Sequence, residues 1–69
     1  MRENLKKARR EAGLTQKQVA EYLDISETAY QNIEYGKSIG KIKHWDKLED
    51  LFKTHQRKLR EIRDKGDNR

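Results

Sequence analysis

Apolar residues along this chain recur at intervals of three and four, and alternation at every second position never persists, so the pattern predicts helices and no strands. Leu5, Ala8 and Ala12 fall on one face of a first helix, with Gly13 at its stop position. The run Leu14-Thr15-Gln16-Lys17-Gln18-Val19 then opens a second helix. Thr15 and Gln18 have capping-box spacing, in which each side chain satisfies the other's orphan backbone N–H, and Leu14 and Val19 hold the two positions of a hydrophobic staple. This helix buries Val19, Ala20 and Leu23. Asp24-Ile25-Ser26 interrupts it. Ser26 is an N-cap for a third helix, and Ile25 with Tyr30 makes a second staple. The third helix buries Tyr30 and Ile33 and stops at Gly36.

Two short helices joined by a three-residue turn cannot lie antiparallel; they must cross, which is helix-turn-helix geometry. Residues 37–43 read as a basic loop holding Gly40, and Trp45, Leu48, Leu51 and Phe52 as an amphipathic helix. His55, Leu59 and Ile62 continue the same face. One long helix over about 44 to 64, pairing along that seam, competes with a break at which Thr54 caps a fifth helix. The seam covers fewer than three heptads and includes a histidine, which favours the break. The chain reads as a single domain over residues 1–64, with 65–69 a frayed basic tail.

Charge changes this picture. The net charge is +5, but residues 1–12 carry five bases and two acids, residues 13–36 one base and four acids, and residues 37–69 eleven bases and six acids. The presumptive helix-turn-helix is acidic and its flanks are basic, so the flanks supply the attraction for a polyanion. The chain has 69 residues and no cysteine, which leaves no disulfide framework, thiolate metal site or cysteine nucleophile. No apolar run nears the ~20 residues of a membrane span, and no apolar stretch of a signal peptide follows the start, so the cytoplasm is the expected compartment. Nothing pairs carboxylates in a cleft, couples a nucleophile to a base or builds a phosphate loop, so an enzyme is not expected and neither is a cofactor. His44 and His55 stand eleven residues apart with no other soft ligand nearby, so no metal is expected. RNA readers with strand platforms or glycine-rich clamps have no counterpart in this pattern.

Leu5-Lys6-Lys7-Ala8-Arg9, Ala12-Gly13-Leu14-Thr15-Gln16, Val19-Ala20, Leu23, Ile25-Ser26, Ile33-Glu34 and Gly36-Lys37 together resemble the Cro/C1-type helix-turn-helix proteins, the XRE family of phage repressors and bacterial regulators. The joint spacing is far more specific than any one element. The resemblance implies an all-α, compact, five-helix, lambda-repressor-like domain with its helix-turn-helix at helices 2 and 3. It implies a bacterial or phage-encoded protein that binds a double-stranded DNA operator as a homodimer and acts as a sequence-specific transcriptional regulator, most often a repressor. Antitoxins, phage excision factors and protein-partner adaptors use the same fold and stand as the alternative. Several positions depart from the family pattern. Asp24 replaces the usual turn glycine, Tyr35 a frequent asparagine, Ile39-Gly40 a frequent proline, and acidic Glu27 opens the third helix.

If the resemblance holds, the third helix enters the major groove and places Glu27, Thr28, Gln31 and Asn32 at base edges. Asn32 suits adenine N6 and N7, Thr28 several bases or a thymine methyl, and Glu27 cytosine N4. Glu27 also favours the helix dipole at its position, whatever it touches. Phosphate contacts fall to Gln16, Lys17, Tyr35, Lys37, Ser38, Lys41 and Lys43. Gln18 takes the capping role, which leaves Gln16 free for a phosphate beside the N-terminal amides of the second helix. Lysines in a loop are more often plain solvated surface, so these residues count as a set; Lys6 and Arg10 are lesser candidates. Arg9 and Glu34 are expected to pair and tie helix 1 to helix 3, and Trp45, Leu48 and Phe52 to be core.

Overall fold

A computed structural model of the chain describes residues 1–62. These form five helices, α1 (Glu3–Glu11), α2 (Gln16–Leu23), α3 (Glu27–Glu34), α4 (Ile42–Phe52) and α5 (Gln56–Arg60), with no strand among the described residues. The anticipated caps form. Gln18 N donates to Thr15 Oγ1 at 3.1 Å and Thr15 N to Gln18 Oε1 at 2.9 Å, closing the capping box of α2. Ala29 N donates to Ser26 Oγ at 3.0 Å, capping α3. α2 and α3 pack chiefly on each other, while α5 packs on α1 and α4. One core joins all five helices through Leu5, Val19, Leu23, Tyr30, Ile33, Trp45, Leu48 and Leu59, each at most 3% exposed. Leu14 and Ile25, the outer halves of the two staples, pack against it.

Four expectations are corrected. Ala12 does not join the apolar face of α1; as C-cap residue it is exposed, because the chain turns away at Gly13. α4 begins at Ile42, so Lys43 lies in its first turn and not in a loop. Residues 42–60 form two helices, as the short seam suggests, but Thr54 does not cap the second. Its hydroxyl donates to Phe52 O at 3.1 Å, and His55 is the cap, its Nδ1 accepting from Arg57 N at 3.1 Å. His55 and Ile62 therefore leave the buried face, and Ile62 is 54% exposed. The proposed tail, residues 65–69, lies outside the described residues.

The break between α4 and α5 has a backbone cause. Lys53 closes α4 in the left-handed conformation, φ 54 and ψ 35, which turns the chain out of helical register. Asp24 closes α2 in the same way, φ 61 and ψ 44. Asp tolerates this region through its short polar side chain, whereas Lys has no such relief and carries about 1–2 kcal/mol of strain there. Lys53→Gly is therefore expected to raise the thermal midpoint, and by more than Asp24→Gly does. Each kcal/mol is about 4–8 °C for a domain of this size. Calorimetry of the two variants checks the order, and a lower midpoint for Lys53→Gly contradicts it.

Candidate nucleic-acid interface

The angle between the two crossed helices is held by a buried carboxylate. Glu34, in the last turn of α3, has no solvent exposure. Its Oε2 accepts from Arg9 Nε and from Tyr30 OH, both at 2.8 Å, and its Oε1 from Gln16 Nε2 at 2.9 Å. The Arg9 guanidinium donates as well to Leu14 O at 2.8 Å, fixing the link between α1 and α2. α1, α2 and α3 thus meet at one charge. The hydrogen bond and the charge of Glu34 push the Arg9 pKa above its ordinary value despite burial. Burial, followed by the Glu34 charge, pushes the Tyr30 phenol far up, so it stays a neutral donor.

This hub claims Gln16, which the sequence leaves free. Gln16 Nε2 faces Glu34, and its Oε1 accepts from Gln31 Nε2 at 3.2 Å. Tyr35 OH stands 3.4 Å from Gln16 Nε2. Gln16, Gln31 and Tyr35 therefore form one polar edge running from α2 to α3, with Lys17 exposed beside it.

The other face of α3 is open. At 3.6 residues per turn, Glu27, Gln31, Thr28 and Asn32 span an outward arc of about 140°, opposite Tyr30 and Ile33. Glu27 and Thr28 are exposed; Gln31, inside the arc next to Glu27, and Asn32, at the opposite border, are half-buried. Gln31 borders α2. Asn32 lines a shallow cleft of about 320 Å³ together with Ser38, Gly40, Lys41 and His44. Its backbone carbonyl accepts from Lys37 N at 2.9 Å and Ser38 N at 3.1 Å, so the loop after α3 is hung from this residue.

Of the cations assigned to phosphate, Lys41 lines that cleft. Lys37 is exposed in the loop, Lys41 is the N-cap residue of α4, and Lys43 is exposed in its first turn. Lys41, Lys43 and Lys47 line a second cleft with Asp24 and His44. α4 has no side-chain cap and no acid in its first turn, so its dipole adds to this positive edge. Ser38 is half-buried; its Oγ accepts from Gly40 N at 3.3 Å.

His44 lies among the lysines of this second cleft. It is only 8% exposed, and its Nδ1 has no hydrogen-bond partner. Burial first, then Lys43, Lys41 and Lys47, hold its pKa below the ordinary 6.5. The unfolded chain therefore takes up this proton before the folded one as pH falls. Stability is expected to drop on going below about pH 6.5, until the folded pKa is reached. Urea midpoints between about pH 7.5 and 5.5 check this, with His44→Gln lacking the His44 share of the slope. An equal slope in both proteins contradicts it.

One residue of the interface gave no signal in the sequence. Arg2 reads as one more N-terminal cation, yet it is 4% exposed. Its Nη1 donates to Ile33 O at 2.6 Å and Ser38 O at 2.8 Å, and its Nε to Arg60 O at 3.1 Å. The guanidinium lies 5.2 Å from the centroid of the Trp45 ring.

Two crossed helices locked from behind, a polar arc on the second and cations at its border define a DNA-binding helix-turn-helix protein of the all-α class. The sequence matches the family described as helix-turn-helix over residues 5–55, and the chain belongs to that family, the Cro/C1-type or XRE group. It is thereby a DNA-binding helix-turn-helix regulator. No curated protein and no solved structure matches it. No helix among the described residues is long and apolar enough to cross a membrane.

Proposed function

We propose that the protein is a sequence-specific transcriptional regulator of the repressor type, non-enzymatic and acting in the cytoplasm. In this reading α3 lies in the major groove of double-stranded DNA, with Glu27, Thr28, Gln31 and Asn32 at base edges. Lys17, Tyr35, Lys37, Ser38, Lys41 and Lys43 border the groove and meet phosphates. Gln16 serves there by turning its second amide hydrogen from Tyr35 OH to a phosphate while it stays bonded to Glu34. Two copies on one operator place their helices about one turn of DNA, ~34 Å, apart.

The observation that carries this reading is the uncovered polar arc of α3, opposite a face fixed to α1 and α2 by Glu34. A helix held so firmly from behind presents its outward side chains in a defined geometry, which base readout requires. Asn32 is the best single probe, because an amide can pair bidentately with adenine. Asn32→Ala is expected to cost roughly 1–3 kcal/mol of affinity and to relax specificity at one base pair. Binding to a set of single-base operator variants checks both. Unchanged affinity and an unchanged motif remove Asn32 from base readout, and the protein-partner alternative then gains.

A further inference from the structure

We infer that Arg2 is a positioning residue of the DNA interface, its guanidinium holding the end of α3 and the loop that follows in one fixed relation. The inference rests on the DNA-binding reading above.

The loop between α3 and α4 carries Lys37 and Ser38 and delivers Lys41 and Lys43, yet residues 37–41 have no regular structure of their own. Their place is set by a few bonds. Lys37 N and Ser38 N reach back to the Asn32 carbonyl. Trp45 Nε1 donates to Ile39 O at 2.8 Å. Lys41 O accepts from His44 N and Trp45 N at the start of α4, and a further anchor is Arg2, whose single Nη1 bridges Ile33 O in the last turn of α3 and Ser38 O in the loop. Through Nε the same side chain reaches Arg60 O at the end of α5. Three segments distant in sequence thus meet on one planar group, which lies against the Trp45 ring. Arg2 N also donates to Glu34 O at 2.9 Å, so backbone and side chain of one residue both hold the C-terminal turn of α3.

Burial removes Arg2 from the cations that can touch a phosphate. What remains is orientation. Asn32, the residue that would read a base, carries the carbonyl that receives Lys37 N and Ser38 N, and Arg2 holds the carbonyls of Ile33 and Ser38 beside it, so the reading residue and the loop leading to the lysines share one anchorage. Freeing the loop lets the lysines move relative to the reading helix and spends binding free energy on re-ordering them. Lysine cannot substitute. Its ammonium is one point on a flexible stem, whereas the guanidinium offers donors in a rigid fork and a flat face for the indole.

The test compares Arg2→Lys and Arg2→Met with the unaltered protein and with Phe52→Leu, a control that loosens the core at the far end of α4. Amide exchange at Lys37 and Ser38, measured without DNA, should quicken about tenfold or more in both Arg2 variants relative to the Val19 amide. Affinity for the selected duplex should fall about tenfold or more. The slope of log affinity against log salt should shrink by roughly 1–2, because phosphate contacts from the loop are lost. Phe52→Leu should lower the melting point and leave the exchange ratio and the salt slope unchanged. Arg2→Lys with unaltered exchange and unaltered slope overturns the inference. So does loss of helical signal in both Arg2 variants, which makes the residue a fold stabiliser only. If the unaltered protein binds no duplex, the DNA reading falls and takes this inference with it; the exchange ratio then reports separately whether Arg2 holds the loop.

Discussion

Arg9→Met is expected to destabilise the domain by about 3–5 kcal/mol, because it leaves the buried Glu34 carboxylate charged and without its cation. Glu34 is fully buried, and after the substitution only Tyr30 OH and Gln16 Nε2, both neutral, would still donate to it. Small domains have about 5–15 kcal/mol to lose, and a chain this short sits toward the low end. The thermal midpoint should therefore fall by tens of degrees or vanish from the accessible range. Arg9→Met combined with Glu34→Met should recover part of the loss, since removing both partners of a buried pair costs less than removing one. Circular-dichroism melts of the single and double variants provide the check. A single variant that melts within a few degrees of the unaltered protein would show that the pair adds little to the fold.

Trp45→Ala is expected to cost a similar ~3–5 kcal/mol, through a cavity at the centre of the core. Trp45 is 1% exposed and is the floor on which the α3–α4 loop rests. Its Nε1 holds Ile39 O, and a Cβ placed on Gly40 would stand only 3.1 Å from that nitrogen and 3.4 Å from Ile33 Cδ1. Gly40 also has φ 78, so both space and backbone demand glycine there. Removing the indole takes away the anchor of Ile39 and the face beneath Arg2 together. Trp45→Phe keeps most of the volume and loses the N–H, so its smaller cost, about 1–3 kcal/mol, isolates the bond to the loop. Urea titrations of both variants measure these values. A loss below about 1 kcal/mol for Trp45→Ala would mean that the loop and core are not coupled through the ring.

What could be read from the sequence follows the range of the forces involved. The capping box at Thr15 and Gln18, the Ser26 cap and the two staples operate within five residues, so their spacing alone locates α2 and α3. The left-handed turn at Asp24 was legible only against the family's usual glycine, the residue that adopts that backbone most freely. Arg2 was illegible because its partners are 31, 36 and 58 residues away. No local pattern marks a guanidinium that closes the space between three chain segments. The bond of Gln16 to Glu34 was illegible for a related reason. Its local role was correctly denied by the cap, but its tertiary partner, Glu34, takes up the amide that seemed free. Lys53 and His55 show the opposite limit. Neither residue type advertises a helix end, yet packing of Leu59 against α1 and α4 forces a turn at that point, and the nearest available side chain caps the new helix. Ala12 has the spacing of Leu5 and Ala8 yet lies exposed at the C-cap, because helical periodicity marks a face without saying how far the neighbouring helices extend along it.

The proposed reading face was legible only through the family resemblance. Glu27, Thr28 and Asn32 are residues that any solvated helix surface carries. The structure adds their arrangement: an outward arc, open at Glu27 and Thr28 and half-buried at Gln31 and Asn32, backed by a charge hub and bordered by lysines at the start of α4.

The central claim is sequence-specific DNA recognition, and selection from a random duplex pool by the folded protein tests it most directly. At ~150 mM salt, attraction by charge alone is weak, so enrichment reports base readout. The expected result is a defined motif, arranged as two related half-sites about one helical turn apart. A folded protein that enriches no motif under these conditions would contradict the account.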